Sequence, residues 1–65
     1  MENTNKDWKI NDCGYFFSTY LWQPIEATII MITDDYFIVT DGFRHNYRVK
    51  KEDFFETEEE VELSL

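Results

Sequence analysis

Residues 24–49, PIEATIIMITDDYFIVTDGFRHNYRV, constrain the fold more than any other stretch. Two apolar runs and a mixed run are joined by Asp34-Asp35 and Asp41-Gly42, the spacing of a three-stranded β-meander. In the first run Glu26 and Thr28 alternate with Ile25, Ala27 and Ile29, which the two-residue period of a strand sends inward. Ile29-Ile30-Met31-Ile32 then breaks the alternation. Either a β-bulge near Ile30 swaps the inward face, or the far half of the strand is covered on both sides. Asp41-Gly42 predicts a two-residue hairpin, because a type I′ turn needs positive φ at both central positions. The strand after it, 43–49, is expected to place Phe43, His45, Tyr47 and Val49 inward and Arg44, Asn46 and Arg48 in water.

The flanking segments are expected to dock onto this meander. Residues 1–7, MENTNKD, are polar and predict a frayed end, leaving 8–65 as a single domain. Trp8 and Ile10 alternate as a short opening strand would, and Asn11, Asp12 and Gly14 make a turn cluster that holds Cys13 as a buried or half-buried thiol. Residues 15–22, YFFSTYLW, favour a strand but carry rings in both registers. Tyr15, Phe17, Thr19 and Leu21 form the slightly more core-like set, against Phe16, Ser18, Tyr20 and Trp22, and the facing stays open. Pro24 stops pairing at the loop that follows. Beyond the meander, 50–53 is a polar turn, Phe54-Phe55 returns two rings to the core, and Thr57 with Glu60 forms a capping box. The short helix it starts would place Val61 and Leu65 on one face and must lean on the sheet.

A chain of 65 residues buries only about 60% of its unfolded surface, so its core must be dense. Two Trp, four Tyr and six Phe can supply that density, at roughly 150–250 Å² each. The rings exceed what so small a core holds, and some are expected on the surface, where Tyr and Trp are common at protein interfaces. The fold class expected is all-β: a small antiparallel SH3-like barrel, or a strongly curled meander of four or five strands, with a short C-terminal helix.

From Ile25 onward the chain resembles a diffuse group of short bacterial and phage proteins expected to form SH3-like barrels. The resemblance rests on the phrase Ile25-Glu26-Ala27-Thr28, on the turn-rich hairpin, and on Phe55, Thr57, Glu59 and Glu60 before a short apolar helix. Val61 stands where small Ala is usual, and the chain runs only three residues past Glu62. The resemblance implies the fold and a phage or mobile-element origin, and no activity.

The residues exclude more chemistry than they suggest. His45 is the only histidine and has no companion at ligand spacing, so no metal is expected. Asp34, Asp35 and Asp41 could gather at hairpin ends, but turn chemistry accounts for each. Ser18 and Ser64 have no base nearby in sequence, and two glycines cannot build a phosphate-cradling loop, so neither catalysis nor a cofactor or small-molecule substrate is expected. The single Cys13 fits a reducing compartment, no run is apolar enough for a signal or a membrane span, and a cytoplasmic location is expected.

Net charge is −8, which disfavours general attraction to nucleic acid or anionic lipid. Arg44, Arg48, Lys50 and Lys51 nevertheless fall within eight positions and precede an acidic tail that includes Glu56, Glu58, Glu59 and Glu60. The simplest expectation is that the tail lies beside the basic strand and partly neutralises it. Three binding functions follow. The first is a non-enzymatic protein-interaction or regulatory module that uses Tyr20, Trp22, Tyr36 and Phe37 toward a protein partner or a second copy. The second is an acidic inhibitor that offers the tail's carboxylates to a basic site on a nucleic-acid enzyme. Weak nucleic-acid binding along the basic strand ranks last, because the rest of the chain repels phosphate.

Overall fold

A computed structural model of the chain describes residues 7–65, so all but Asp7 of the expected frayed end lies outside the described residues. The domain is mainly β, a four-stranded antiparallel sheet that is not closed, followed by a 3₁₀ turn and a short helix. The strands are β1 (Cys13–Ser18), β2 (Gln23–Ile32), β3 (Tyr36–Thr40) and β4 (Asn46–Lys50), paired in chain order.

β2 is the spine, and its broken alternation is a bulge. Ile29 pairs with Val39 while Met31 pairs with Ile38, so Ile30 is the extra residue. Cross-strand partners share a face. Before the bulge Ala27 and Ile29 are buried; after it the position opposite buried Phe37 is Ile32, an even-numbered residue. The far half of the strand is not covered on both sides, since Ile30, Met31 and Ile32 are all exposed.

Small residues decide which face of β1 turns inward. Phe16 and Ser18 are buried, while Tyr15 and Phe17 are half-buried, so within β1 the face of Phe16 and Ser18 turns inward and not the one that carries Tyr15 and Phe17. Gly14 lies on the same face, opposite the buried Ala27, and the Phe54 ring fills the space that the glycine leaves. The expected opening strand is absent among the described residues. Lys9 and Asp12 instead close a turn, with the Lys9 N–H donating to the Asp12 carboxylate at 2.8 Å and the Asp12 N–H to the Lys9 carbonyl at 3.0 Å. That turn leaves Ile10 exposed and sets the half-buried Trp8 edge-on to Phe54 and Phe37, at 4.8 and 6.2 Å between centroids. Cys13 is exposed, with its sulfur 3.4 Å from the Thr28 hydroxyl, and is not the covered thiol expected.

After β4 the 3₁₀ turn Lys51–Asp53 carries the chain over the sheet to Phe54, which is buried against Phe37. Phe55 then exchanges two backbone hydrogen bonds with Tyr15, of 2.7 and 2.8 Å, on the edge of β1 that β2 leaves free. The helix α1 (Glu58–Leu63) starts in the expected capping box: the Glu60 N–H donates to the Thr57 hydroxyl, and the Glu60 carboxylate accepts from Thr57 N–H. Such a cap is worth about 1 kcal/mol to a helix this short. Val61 is fully buried against the sheet, whereas Leu65 lies beyond the helix end and is exposed, so the two do not share a buried face. No helix among the described residues is long and apolar enough to cross a membrane.

Candidate interaction surface

The β1–β2 connection is a four-residue tip built on Ser18. Its buried hydroxyl accepts the Leu21 N–H at 3.1 Å, and its carbonyl accepts the Trp22 N–H at 2.6 Å. Closing the chain this way requires the left-handed backbone at Trp22, where φ is 60°. For a non-glycine residue that conformation costs on the order of 1–2 kcal/mol, and it is least expected for a bulky ring. Trp22 nevertheless stays 73% exposed, with its ring tilted edge-on to Phe17 at 5.3 Å, and Tyr20 beside it is 88% exposed. Of the four rings expected at the surface, these two are exposed.

The other two are not equivalent to them. Tyr36 is half-buried beneath the Arg48 guanidinium, 5.1 Å from its centroid. Phe37 is a core residue, 2% exposed, and cannot serve as a surface ring. Strand period explains this, because Phe37 shares its face with Val39 and with its partner Val49, both buried.

Beside the tip, a groove of about 580 Å³ runs between β1 and β4, the two edges left by the open sheet. Phe16, Phe17 and Tyr20 line one side, Tyr47, Val49 and the edge at Arg48 and Lys50 the other, with Val61 and Leu65 at the helix end. Phe16 and Tyr47 meet across it, 5.3 Å between centroids. Of the groove's aromatic rings, the sequence marks Tyr20 for the surface, places Tyr47 on the inward side of its strand and leaves the facing of Phe16 open; the gap itself depends on which strand edges stay unpaired, a long-range property with no local signal.

Part of the acidic segment lies beside the basic strand: Glu52 shares a cleft with Arg48 and Lys50, and Asp53 lines the groove with them. Arg44 is in the β3–β4 loop at φ 74°, Lys50 is exposed, and Lys51 is half-buried with its ammonium 5.8 Å from the Phe37 ring centroid. The acidic helix packs on β1 and β2, and its end reaches the groove that β4 borders, with the exposed Glu58 and Glu59 not among the groove residues. Among the described residues no carboxylate lies within 4.0 Å of Arg44, Arg48, Lys50 or Lys51, so any neutralisation acts across the cleft and not through close ion pairs. Glu56, Glu58 and Glu59 are exposed, whereas Glu60 is half-buried and its carboxylate holds the Glu56 and Thr57 N–H groups.

The β3–β4 connection is a five-residue loop, 41–45, rather than a two-residue hairpin. Asp41 organises it: one carboxylate oxygen accepts the Phe43 N–H at 2.8 Å and the His45 N–H at 3.4 Å. The other accepts the Tyr47 hydroxyl at 3.2 Å and lies 3.3 Å from His45 Nδ1. This side-chain competition for backbone donors displaces the expected turn. Phe43 is consequently 77% exposed, and His45 is exposed, so neither belongs to the core set. Asp34 and Asp35 sit in the β2–β3 turn at the opposite end of β3 and do not join Asp41. Among the described residues no three His, Cys, Asp or Glu side chains gather where they could hold a metal ion.

The bonds to Asp41 set its acid-base behaviour. The Phe43 N–H first, then the His45 N–H, the Tyr47 hydroxyl and the His45 ring, hold its carboxyl below the ordinary 3.8, against an opposing effect of burial. Tyr47 is raised above 10.0 by burial first and then by the Asp41 charge. A depressed carboxylate contributes stability that is fully present above its unfolded value and is lost as pH falls through the folded one. Urea midpoints of the wild type and Asp41→Asn are therefore expected to differ at neutral pH and to converge as pH drops below 3.8. A gap that stays constant down to about pH 2 would exclude the Asp41 charge as its source.

Compared with known proteins, the chain matches no family model, no curated protein and no solved structure. Its functional reading rests on the geometry of the tip and the groove.

Proposed function

We propose that this chain is a non-enzymatic protein-interaction module of SH3-like architecture, acting in a reducing cytoplasm, whose contact surface is the β1–β2 tip with the adjoining groove. The architectural reading takes Phe55 as the residual fifth strand that closes back on β1. The observation that carries the functional reading is Trp22. A tryptophan is held at φ 60° with most of its ring in water, and neither feature serves the core. Strained, exposed backbone positions concentrate at binding and switch sites, and Trp and Tyr are the side chains most often found as interface anchors. The acidic-inhibitor reading is weaker, because Glu60 already caps the helix.

Trp22→Gly tests this reading cleanly. Glycine adopts positive φ without strain, which offsets the lost contact with Phe17. The variant is expected to keep its unfolding free energy, read from urea denaturation, within about 1 kcal/mol of the wild type. Affinity isolation from the native host with the two proteins side by side should recover a partner with the wild type and lose it with Trp22→Gly. Partners recovered equally by both would remove the tip from the function, and a monomer that captures nothing would remove the module.

A further inference from the structure

We propose that the groove between β1 and β4 receives an extended acidic segment of a partner protein, added as a strand along the free edge of β4. This rests on the interaction-module reading and names the partner's chemistry. The backbone supplies the first argument. The Asp41 N–H donates to the His45 carbonyl at 3.1 Å and the Lys51 N–H to the Asp35 carbonyl at 3.3 Å, which brackets the β3–β4 ladder. In an antiparallel pair such bonding residues recur every second position, so Tyr47 and Val49 direct their backbone groups to β3. Arg48 and Lys50 then direct theirs to the open edge that lines the groove. On the facing wall Tyr15 uses its outward N–H and carbonyl on Phe55, and the same period leaves those of Phe17 turned into the groove. Two rows of open peptide groups thus border one trough of aromatic rings, the arrangement that strand addition uses.

Charge decides the occupant. A strand laid on β4 would alternate its side chains between the trough and the solvent face. Those entering the trough meet Phe16, Tyr47 and Val49 and should be apolar. Those on the solvent face lie beside Arg48 and Lys50, both exposed and with no described carboxylate within 4.0 Å; Asp35 and Glu52 share the cleft on that face and Asp53 lines the groove, so acidic side chains are expected only at the positions that reach the two cations directly. The same two cations argue against a second copy. Antiparallel β4–β4 pairing would set like charges opposite one another, which is destabilising, and lysine on an edge is a usual guard against such pairing.

The test uses the full chain, labelled with ¹⁵N, and a fluorescein-labelled peptide of about seven residues that alternates valine with glutamate, long enough to span β4. Saturable binding is expected, with the Arg48 and Lys50 amides shifting and gaining exchange protection. Methylating the peptide nitrogens that face β4 should weaken binding at least about tenfold, as should Lys50→Glu at an unchanged melting temperature. No binding, equal binding of a valine-lysine peptide, or shifts confined to other amides would overturn the proposal. So would oligothymidylate that binds the same amides more tightly than the peptide. Trp22→Gly separates the two readings. Peptide binding lost from the wild type while Trp22-dependent partner capture persists refutes strand addition alone, whereas loss of both refutes the module.

Discussion

Gly14→Ala is expected to destabilise the domain by about 2 kcal/mol, within the range of forced overpacking, lowering the melting temperature by about 8–16 °C. A Cβ at this position would stand 2.5 and 2.8 Å from two atoms of the Phe54 ring and 2.8 Å from the Phe55 carbonyl oxygen. The ring cannot simply rotate away, because Trp8 packs against it at 4.8 Å and Phe37 at 5.6 Å. Nor can the backbone yield freely, since Phe55 is tied to Tyr15, the neighbour of Gly14, by two hydrogen bonds. Alanine would ordinarily favour a strand over glycine by restricting the unfolded chain, an effect of about 0.4–1 kcal/mol that the clash exceeds. A chain of 65 residues has about 3–10 kcal/mol of total stability, so the loss is a large part of it. Urea denaturation provides the measurement, and Phe54→Leu the control. If the clash is the cause, the double variant is less destabilised than the sum of the single ones. Additive effects, or a Gly14→Ala protein as stable as the wild type, would refute this account of the glycine.

The β-meander was legible because β2, β3 and the end of β4 carry their faces in a strict period. Ile30 broke that period, and a bulge was one of the two outcomes that the break allowed. The capping box was equally legible, since Thr57 and Glu60 satisfy each other within three residues. What failed was decided by contacts distant in sequence or by competing local bonds. The facing of β1 could not be read from rings in both registers; Gly14 and Ser18 decided it, one by admitting Phe54 and the other by closing the tip. Asp41-Gly42 has the composition of a tight hairpin, yet the Asp41 carboxylate binds the donors of Phe43 and His45 and widens the loop to five residues. Phe43 leaves the core for that reason. Of the candidate surface, Tyr20 and Trp22 were anticipated as excess rings, but the groove beside them exists only because Phe55 closes one short part of the β1 edge and leaves the rest open.

Phe37 provides the sharpest test of the boundary between core and surface, because strand position alone left it as a candidate contact ring. Its ring lies edge-on to Phe54 at 5.6 Å and to Trp8 at 6.2 Å, and its strand partner Val49 is buried. Removing it would open a cavity where three sequence-distant segments meet, at a cost of about 3–5 kcal/mol. That approaches the whole stability of so small a domain, and Phe37→Ala is expected to be largely unfolded at 25 °C by near-ultraviolet circular dichroism and by amide dispersion. Phe37→Leu keeps most of the volume and should remain folded, at a loss of about 1–1.5 kcal/mol in urea. It should also retain partner capture, since the tip and the groove are untouched. A surface ring would behave in the opposite way, with alanine tolerated to within about 0.5 kcal/mol and binding lost. A stable Phe37→Ala protein would therefore displace the aromatic cluster of Trp8, Phe37 and Phe54 as the joint between the sheet and its closing segment, and with it the reason that Gly14 must be small.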